Sequence, residues 1–458
     1  MNYEDFLQSK LTIIPSSGFS IEREELGDYL FEFQKDLVKW ALMRGRAALF
    51  ASTGMGKTRI SLEWARHVCQ SAKGDVLILA PLAVAKQTQR EADEIGIRTH
   101  VSEGEHDVQP GINITNYDKM HKFDLSRFVG IVLDESSIIK HASSKMRDHI
   151  IQSFHDTPYK LACTATPAPN DYMELGNHAE FLGVMSRLEM LSMYFVHDGG
   201  DTSKWRLKGH AQSGFWQWVS SWAAMIRKPS DLGYSDDLYR LPELIMQDIL
   251  VDTDKAPEGH LFPVTAITLQ ERQRARRATI QERCEKVAEI ALASEKPFLI
   301  WCDLNDESSY IAKLLPGAVE VKGSDPSEHK ERAMIDFADG NIPYLVTKAS
   351  IAGWGLNWQV CSNMAFVGMN DSFEALYQAV RRCYRFGQTK PVHVYMISTA
   401  LEGAIVSNVK RKESDFERMQ DQMSQYTREF VQANVRNAGK TQTEYQPSQT
   451  MSIPDWLQ

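Results

Sequence analysis

A glycine-rich loop near the start of the chain carries residues that can bind phosphate. The segment Ala51–Thr58 reads Ala-Ser-Thr-Gly-Met-Gly-Lys-Thr. Gly54 and Gly56 let the backbone turn its N–H groups inward around phosphate oxygens. Lys57 would neutralise the β- and γ-phosphates, and Thr58 would offer its hydroxyl to Mg²⁺. A strand pattern before the loop and a helical pattern after it complete the expected context, so the loop predicts a nucleotide site.

A second phosphate-binding candidate lies far along the chain, in the segment Gln378–Gln388. It contains Arg382 and Arg385, a spacing that predicts two guanidinium groups on one face of a helical turn. Arginine stays charged and makes forked contacts to phosphate oxygens. A phosphate loop in one half of the chain and an arginine pair in the other predict a nucleotide held between two domains.

An acidic pair supplies the hydrolytic part of the predicted chemistry. Asp134 and Glu135 follow an apolar strand pattern, as expected for the partner of a phosphate loop. Asp134 would hold magnesium through its hydration shell, and Glu135 would polarise the attacking water as a general base. Further on, Leu161–Pro167 has small hydroxyl residues that can couple the site to a neighbouring domain, although this pattern also fits an ordinary strand-to-turn junction.

The elements that must position these residues follow an alternating pattern. Short apolar runs alternate with helical stretches, which predicts an α/β fold with parallel sheets wrapped by helices. In such sheets ligands bind at the carboxyl ends of the strands. The predicted strands are Ala47–Phe50, Val76–Ala80, Gly111–Thr115, Gly130–Leu133, Lys160–Thr164, Phe298–Cys302, Ala318–Val321, Tyr344–Thr347, Met364–Val367 and Val392–Ile397.

The same pattern predicts where the chain divides. We expect a first domain over residues 1–245, a second over 246–410, and a helical extension with a flexible tail over 411–458. Residues from about 174 to 241 break the alternation and are predicted to be a helical insertion. No obvious wedge or pin element can be read from its sequence, which leaves open whether the protein separates strands or only translocates. A long charged helix is predicted over Ala266–Ser294.

Aromatic residues at helical spacing characterise the predicted insertion. Phe215, Trp218 and Trp222 fall on one helical face, which predicts that they form its core. The alternative is a surface on which nucleic-acid bases stack.

Composition favours a soluble, cytoplasmic protein, such as one from a bacterial or phage-infected cytoplasm. No apolar run reaches the roughly 20 residues that span a bilayer, and the N-terminus lacks a signal-peptide pattern. Six scattered cysteines without a Cys-x-x-Cys pair predict reduced thiols. The net charge of −9 argues mildly against nucleic-acid binding, but local charge decides. Basic clusters occur at residues 44–46, 204–208, 272–277, 381–385 and 410–412.

Seven segments in a fixed order resemble the superfamily 2 helicases. In chain order they are STGMGKT, LAPLAV, ITNYDKM, LDESS, TATP, GWGLN and QAVRRCYRFGQ. The chain resembles in particular the Swi/Snf-type branch, including compact phage-encoded members, over roughly residues 30 to 410. The resemblance implies two RecA-like domains in tandem, an ATP and Mg²⁺ site in the cleft between them, and DNA lying across both domains.

The resemblance also implies roles for individual residues. Gln34 matches the glutamine that reads the adenine edge, and Gln378 matches the one that links the arginine fingers to the nucleotide and the DNA track. The implied catalytic residues are Lys57, Glu135, Arg382 and Arg385, and the implied magnesium-binding residues are Thr58 and Asp134. The implied nucleotide-binding residues are Gln34, Ser52, Thr53, Gly54, Met55, Gly56, Lys57, Thr58, Gly355 and Gln378.

Three further matches concern the surroundings of the nucleotide. Gly353, Gly355 and Asn357 match a turn that approaches the phosphates in the family. Pro81 and Tyr117 lie in motifs that contact the tracking strand in relatives, so DNA contacts are expected nearby.

The chain departs from the family pattern at three positions. Ala51 occupies the place of the usual first glycine of the loop. The acidic motif continues as Ser136-Ser137 where relatives have Ala-His or Ala-Asp, so hydrolysis is expected to persist while its coupling to domain movement differs. Arg381 stands where the Swi/Snf-type branch often has aspartate.

The expected activity is that of an ATP-dependent DNA translocase or helicase. It would act without sequence preference on duplex or branched DNA, with replication or recombination proteins as candidate partners. One alternative is an RNA helicase of the same superfamily, against which the Gln-Ala-x-x-Arg-x-x-Arg-x-Gly-Gln form argues. The other is an ATP-gated nucleic-acid-binding subunit of a larger complex, against which the intact acids and arginines argue.

Overall fold

In the part of the chain that the structure describes, two parallel sheets are covered by helices, as predicted for the fold class. The computed structural model describes residues 16–81, 84–140, 144–198, 201–253, 274, 276–352, 357–368, 371–399 and 403–436.

The first sheet has seven strands in the order β3-β4-β2-β5-β6-β1-β9, all parallel to their neighbours. Its strands are β1 (Arg46–Ala51), β2 (Asp75–Ala80), β3 (Thr99–Val101), β4 (Ile112–Asn116), β5 (Phe128–Asp134), β6 (Tyr159–Thr164) and β9 (Ala223–Ile226). Helices cover both faces, which is why the central strands are nearly continuous apolar runs. All five strands predicted in the first half are confirmed.

Seven helices accompany this sheet. They are α1 (Glu32–Arg44), α2 (Lys57–Ala72), α3 (Ala85–Glu94), α4 (Lys145–Ser153), α5 (Leu175–Leu182), α6 (Arg187–Tyr194) and α7 (Gln212–Trp222). Helix α2 begins directly at the end of the phosphate loop and buries Ile60, Trp64 and Val68 against the sheet. This apolar stripe at helical spacing fixes how the loop is presented at the sheet edge.

The stretch predicted as a helical insertion also contains strands, which corrects that prediction. Strands β7 (Phe195–Asp198) and β8 (Asp201–Leu207) form an antiparallel hairpin. Strand β9 extends the first sheet beside β1. Because β9 is only four residues long and follows the apolar face of α7 directly, its sequence continues the helical pattern and gives no strand signal.

The aromatic residues of this stretch are core residues, as predicted. Phe215, Trp218 and Trp222 are each at most 3% exposed. Their rings contact one another, with Phe215 and Trp218 centred 5.9 Å apart and Trp218 and Trp222 centred 5.5 Å apart. Burial to this extent rules them out as a surface for base stacking in this conformation.

The second sheet has six parallel strands in the order β10-β15-β14-β11-β13-β12. They are β10 (Leu244–Val251), β11 (Phe298–Cys302), β12 (Ala318–Glu320), β13 (Tyr344–Lys348), β14 (Asn363–Phe366) and β15 (Val392–Thr399). The five strands predicted here are confirmed. Strand β10 was not predicted because it lies at the sheet edge, where half-exposed polar residues interrupt its apolar pattern.

Helices α8 (Ile280–Ala293), α9 (Asn305–Leu314), α10 (Ser327–Ala338), α11 (Ala349–Ala352) and α12 (Phe373–Val380) accompany the second sheet. The long charged helix predicted over Ala266–Ser294 corresponds to α8, which begins at Ile280; residues 266–273 and 275 lie outside the described residues.

A 34-residue helix, α13 (Gly403–Arg436), returns from the second sheet to the first. Near its start the Asn408 amide donates to Asp371, a residue of the second sheet's loops, at 3.2 Å. Further along, Val431 and Val435 join the core of the first sheet. The predicted helical extension therefore ties both sheets together, and the tail after residue 436 lies outside the described residues.

In the described ranges no helix is both long enough and apolar enough to cross a membrane. All six cysteines are free thiols, as predicted, and five of them are buried.

We expect the Thr427 hydroxyl to be a main anchor of α13. It accepts a hydrogen bond of 2.9 Å from the Met225 backbone N–H in β9, and both residues are buried. Replacing Thr427 with valine leaves that N–H without a partner, which should lower the free energy of unfolding by about 1–3 kcal/mol in urea titrations. Ser213→Ala, which removes an exposed bond to α13, is the control. Equal stability of the two variants would contradict the anchor.

Candidate nucleotide site between the two sheets

The phosphate loop between β1 and α2 has a conformation that only glycine permits at two positions. Gly54 and Gly56 have φ angles of +92° and +81°. A Cβ at Gly56 would lie 2.2 Å from the amide nitrogen of Gln34, and one at Gly54 would lie 3.1 Å from the backbone of Phe386 in the second domain. The loop is therefore closely packed on two sides, and one side belongs to the other domain.

The side chains of the loop are arranged around its own backbone. Lys57 Nζ donates to the Ala51 carbonyl at 2.9 Å, so the ammonium lies over the loop. The Ser52 N–H donates to the Ile226 carbonyl of β9 at 2.9 Å, and the Met55 N–H donates to the Ser52 carbonyl at 3.2 Å. These bonds shape the loop, and Thr58 follows in the first turn of α2, half-buried.

Strand β5 brings the acidic pair to the loop. Asp134 is 8% exposed, and burial together with the charge of Glu135 raises its pKa to about 7, against the opposing effect of Lys57. Glu135 has a φ of +55°, a strained conformation for a non-glycine residue that is typical of functional sites. A buried carboxyl with a raised pKa is the environment in which a cation would be stabilising.

These residues fit a bound magnesium ion. A hydroxyl on Thr58 and a carboxylate on Asp134 are hard oxygen ligands of the kind that magnesium uses alongside water and phosphate. Within the ranges that the structure describes, no group of three or more His, Cys, Asp or Glu residues could hold a metal by itself.

The threonines after β6 connect the acidic pair to the second domain. Thr164 Oγ1 donates to Glu135 at 3.4 Å, and Thr166 Oγ1 donates to Glu374 of α12 at 3.4 Å. Both threonines are fully buried. The ambiguous strand-to-turn segment thus has contacts on both sides of the cleft, and Glu374 is a site residue that the sequence did not indicate.

The two arginines do not share a helical face, which corrects that prediction. Helix α12 ends at Val380, and Arg382 and Arg385 lie in the turns that follow. Burial and the charge of Arg385 lower the pKa of Arg382 to about 10, while Glu135 opposes this shift. Arg385 donates to Asn357 Oδ1, and burial also lowers its pKa. Both remain charged at neutral pH, and Arg382 is the one that interacts with the acidic pair.

Gln34 supports the loop directly. Its Nε2 donates to the Met55 carbonyl at 2.9 Å and its Oε1 accepts from the Phe31 N–H at 2.9 Å. The side chain is 2% exposed. In this conformation Gln34 holds the phosphate loop, and reading an adenine edge stays a prediction.

Other predicted residues have different surroundings. Gln378 is 8% exposed, and its Nε2 has no hydrogen-bond partner among the described residues.

Pro81 lies at the end of β2, before residues 82–83, which are not described. The Tyr117 hydroxyl donates to the Asp134 carbonyl at 2.7 Å, so this buried ring supports the acidic strand and offers no surface for DNA. Gly353 and Gly355 lie outside the described residues.

Arg381, the departure from the family pattern, has a local role. Its guanidinium lies 5.1 Å and 5.0 Å from the ring centres of Tyr377 and Tyr384. Two cation–π contacts of this kind hold the turn that carries Arg382. Arg381 therefore contacts side chains of its own, second domain.

A histidine from α5 lies against the acidic motif, where many relatives have histidine within the motif itself. His178 Nε2 and Ser136 Oγ are 3.0 Å apart, and burial lowers the His178 pKa to about 4, which keeps the ring neutral. The ring also packs edge-on against Phe50 of β1. The sequence could not indicate this contact, because a single histidine 42 positions away carries no spacing signal.

Comparisons with known proteins agree with this arrangement. Residues 30–169 match the family model of the type III restriction enzyme res subunit, and residues 282–387 match that of the helicase conserved C-terminal domain. Together the two matches span more than half of the chain. This chain belongs to the superfamily 2 helicases. The predicted superfamily is thereby confirmed.

Curated relatives of this superfamily 2 protein match only a short segment. The bifunctional helicase and thymine dioxygenase JBP2 of Leishmania braziliensis is 32% identical over 87 residues, which are 19% of this chain and 8% of that protein. The ATP-dependent DNA helicase DDM1 of Arabidopsis thaliana is 36% identical over 84 residues, 18% of this chain and 11% of that protein. The chain thus matches about a tenth of each relative's length.

One solved structure aligns with most of this chain. The SWI2/SNF2 ATPase core of Sulfolobus solfataricus in complex with double-stranded DNA aligns with 92% of this chain and 98% of that chain. The identity is 17% and the TM-score 0.41, so the assignment to superfamily 2 rests on the family models.

We expect Gly56→Ala to weaken nucleotide binding strongly, because a Cβ there would collide with Gln34 and displace the loop. The dissociation constant of a fluorescent ATP analogue should rise by at least about tenfold, since a left-handed non-glycine residue alone costs about 1–2 kcal/mol. Gly96→Ala is the matched control: φ is +74° and no atom lies within 4 Å of the added Cβ. If both variants bound the analogue equally, the packing of the loop would not govern nucleotide binding.

Proposed function

We propose that this protein hydrolyses ATP between its two sheet domains and uses the cycle to move along DNA. The observation that carries the proposal is the direct contact of the arginine-bearing turn of the second domain with the phosphate loop of the first. Phe386 packs on Gly54 and on the ring of Tyr239, whose centre is 4.8 Å away. A nucleotide in this loop would therefore have both domains as its walls.

The residues divide the chemistry between them. Lys57 would leave the Ala51 carbonyl for the β- and γ-phosphates, and Glu135 would orient and deprotonate the attacking water. Arg382 would neutralise the charge that develops on the γ-phosphoryl group. Thr58 and Asp134 would hold a magnesium ion, which would supply positive charge beside the phosphates.

Movement would follow from the position of Arg382 in the second domain. As long as the γ-phosphate is present, the arginine and the phosphate loop attract the same group and favour a closed cleft. Loss of that group removes the shared anion, and with it the attraction that keeps the cleft closed. Nucleic acid held by both domains would then be gripped by each in turn, which moves the protein along its track.

DNA is the proposed track because the named relatives include a DNA helicase and because the segment Gln378–Gln388 has the form of the duplex-DNA branch. With a net charge of −9, binding must depend on local basic clusters that contact backbone phosphates. We therefore expect little sequence preference and a steep loss of affinity with salt.

The direct test is ATP turnover by the purified chain with blunt duplex DNA, forked duplex DNA, single-stranded DNA and RNA. We expect stimulation by DNA that disappears in Lys57→Ala but persists in Lys313→Ala, a control that removes an exposed lysine of the second domain. Stimulation by RNA alone would replace the DNA motor with an RNA helicase. Turnover that no nucleic acid changes would contradict a motor.

We expect Arg382→Ala to lower the DNA-stimulated turnover by about 10³–10⁵, the usual contribution of an arginine finger. Arg381→Ala is a control in the neighbouring position, because its side chain contacts two tyrosines within its own domain. It should lower turnover far less than Arg382→Ala does, by no more than about tenfold, because it removes two half-buried cation–π contacts that support the turn. Wild-type turnover in Arg382→Ala would contradict the assignment of the finger.

A further inference from the structure

We propose that Lys140, Glu374 and Thr166 form an interdomain latch that positions the arginine-bearing turn for catalysis. The inference rests on the proposed function, since it names the groups that align its two halves. None of the three residues belongs to the acidic pair, the phosphate loop or the arginine pair. They act on the reaction through Arg382 and are positioning residues.

The contacts of the latch cross the cleft. Lys140, which follows the acidic motif in the first domain, donates from Nζ to Glu374 Oε2 on α12 of the second domain. Thr166 donates to the other carboxylate oxygen, Oε1, at 3.4 Å. The side chains of Lys140 and Glu374 are 18% and 8% exposed, so water screens this ion pair only weakly.

The first-domain side of the latch is fixed from behind by α5. Asn177 Nδ2 donates to the Lys140 carbonyl at 2.6 Å, and His178 lies 3.0 Å from Ser136 at the start of the same short turn. The turn Ser136–Ile139 directly follows Glu135, the proposed general base. A shift of Glu135 would therefore be transmitted to Lys140 through a turn that is held at both ends.

The second-domain side leads to the finger. Helix α12 presents Glu374 and Gln378 on one face, because the two residues are four positions apart. Arg382 follows four positions later, just after the end of the helix. Glu374 and Gln378 also line one cavity of about 300 Å³ at the ends of the second sheet's strands. Fixing Glu374 fixes the register of α12, and with it the place where Arg382 enters the nucleotide site.

The latch links the two domains next to the acidic motif, which in this chain continues as Ser136-Ser137. Ser136 and Ser137 cannot reach across the cleft, and both are buried within the first domain. Lys140 lies one turn further on and has the length to do so. Lys412 of α13 donates to the Asp371 carbonyl just before α12 at 2.6 Å, which holds the N-terminal end of the same helix.

A double-mutant cycle tests the latch. Lys140→Met and Glu374→Gln should each lower DNA-stimulated kcat about tenfold, because each leaves one buried charge without its partner. The double variant should lose about tenfold as well, instead of about a hundredfold, because neither charge remains. The KM for ATP should change by less than about twofold, and Lys140→Arg should keep kcat within about threefold.

Lys286→Met with Glu289→Gln is the matched control, since this pair is exposed on α8 of the second domain. Should either latch variant fail to fold, Thr166→Val gives a milder test: it removes the Oγ1 bond to Glu374 and should lower kcat about threefold. Wild-type kcat in Thr166→Val would then contradict the latch.

Two results would overturn the latch. One is a double variant whose loss is the product of the single losses; the other is wild-type kcat in Lys140→Met. These outcomes are distinct from failure of the proposed function, in which the wild-type protein itself would lack nucleic-acid-stimulated, Lys57-dependent turnover.

Discussion

The structure depends on one contact between its halves, the turn that carries Arg382 lying against the phosphate loop. Gly54 has no side chain where Phe386 approaches. Its φ of +92° would be strained for any residue other than glycine. Each half alone would present an incomplete site: a loop with a lysine and two acids, or a pair of arginines without an anion. Only their meeting produces a site in which positive groups surround a γ-phosphate from both sides.

Two further connections determine how that contact is made. Helix α13 leaves the second sheet and buries its end in the core of the first, so the domains are joined by a stiff element as well as by the polypeptide link near β10. The latch of Lys140, Glu374 and Thr166 lies between this helix and the nucleotide site. A long helix limits which movements the domains can make, and a buried ion pair selects one closed arrangement among them. Gln378, which lies in the same helix as Glu374, is buried and lines the same cavity as Glu374.

Much of the fold followed from the sequence, because buried parallel strands are apolar runs that need no distant partner to be recognised. Five strands escaped prediction, namely β3, β7, β8, β9 and β10. They are short, lie at sheet edges or form the isolated hairpin, where the apolar pattern is weak. At the site, Lys57 and Asp134 were expected together because their motifs follow strands of one sheet. Lys140, Glu374 and His178 gave no signal, since each is a single polar residue whose partner is far away in the chain. The helical face proposed for Arg382 and Arg385 was wrong because α12 ends before them.

The central claim is that the bound nucleotide is held by both domains, and the distance between them tests it most directly. Dyes on cysteines at the exposed positions Asp93 and Glu328, with Cys69→Ser, would report that distance by energy transfer, because the remaining cysteines are buried. The account predicts the highest transfer efficiency with a non-hydrolysable ATP analogue and DNA, and a lower one with ADP, with the difference lost in Arg382→Ala. Equal efficiency with the ATP analogue and with ADP would contradict it.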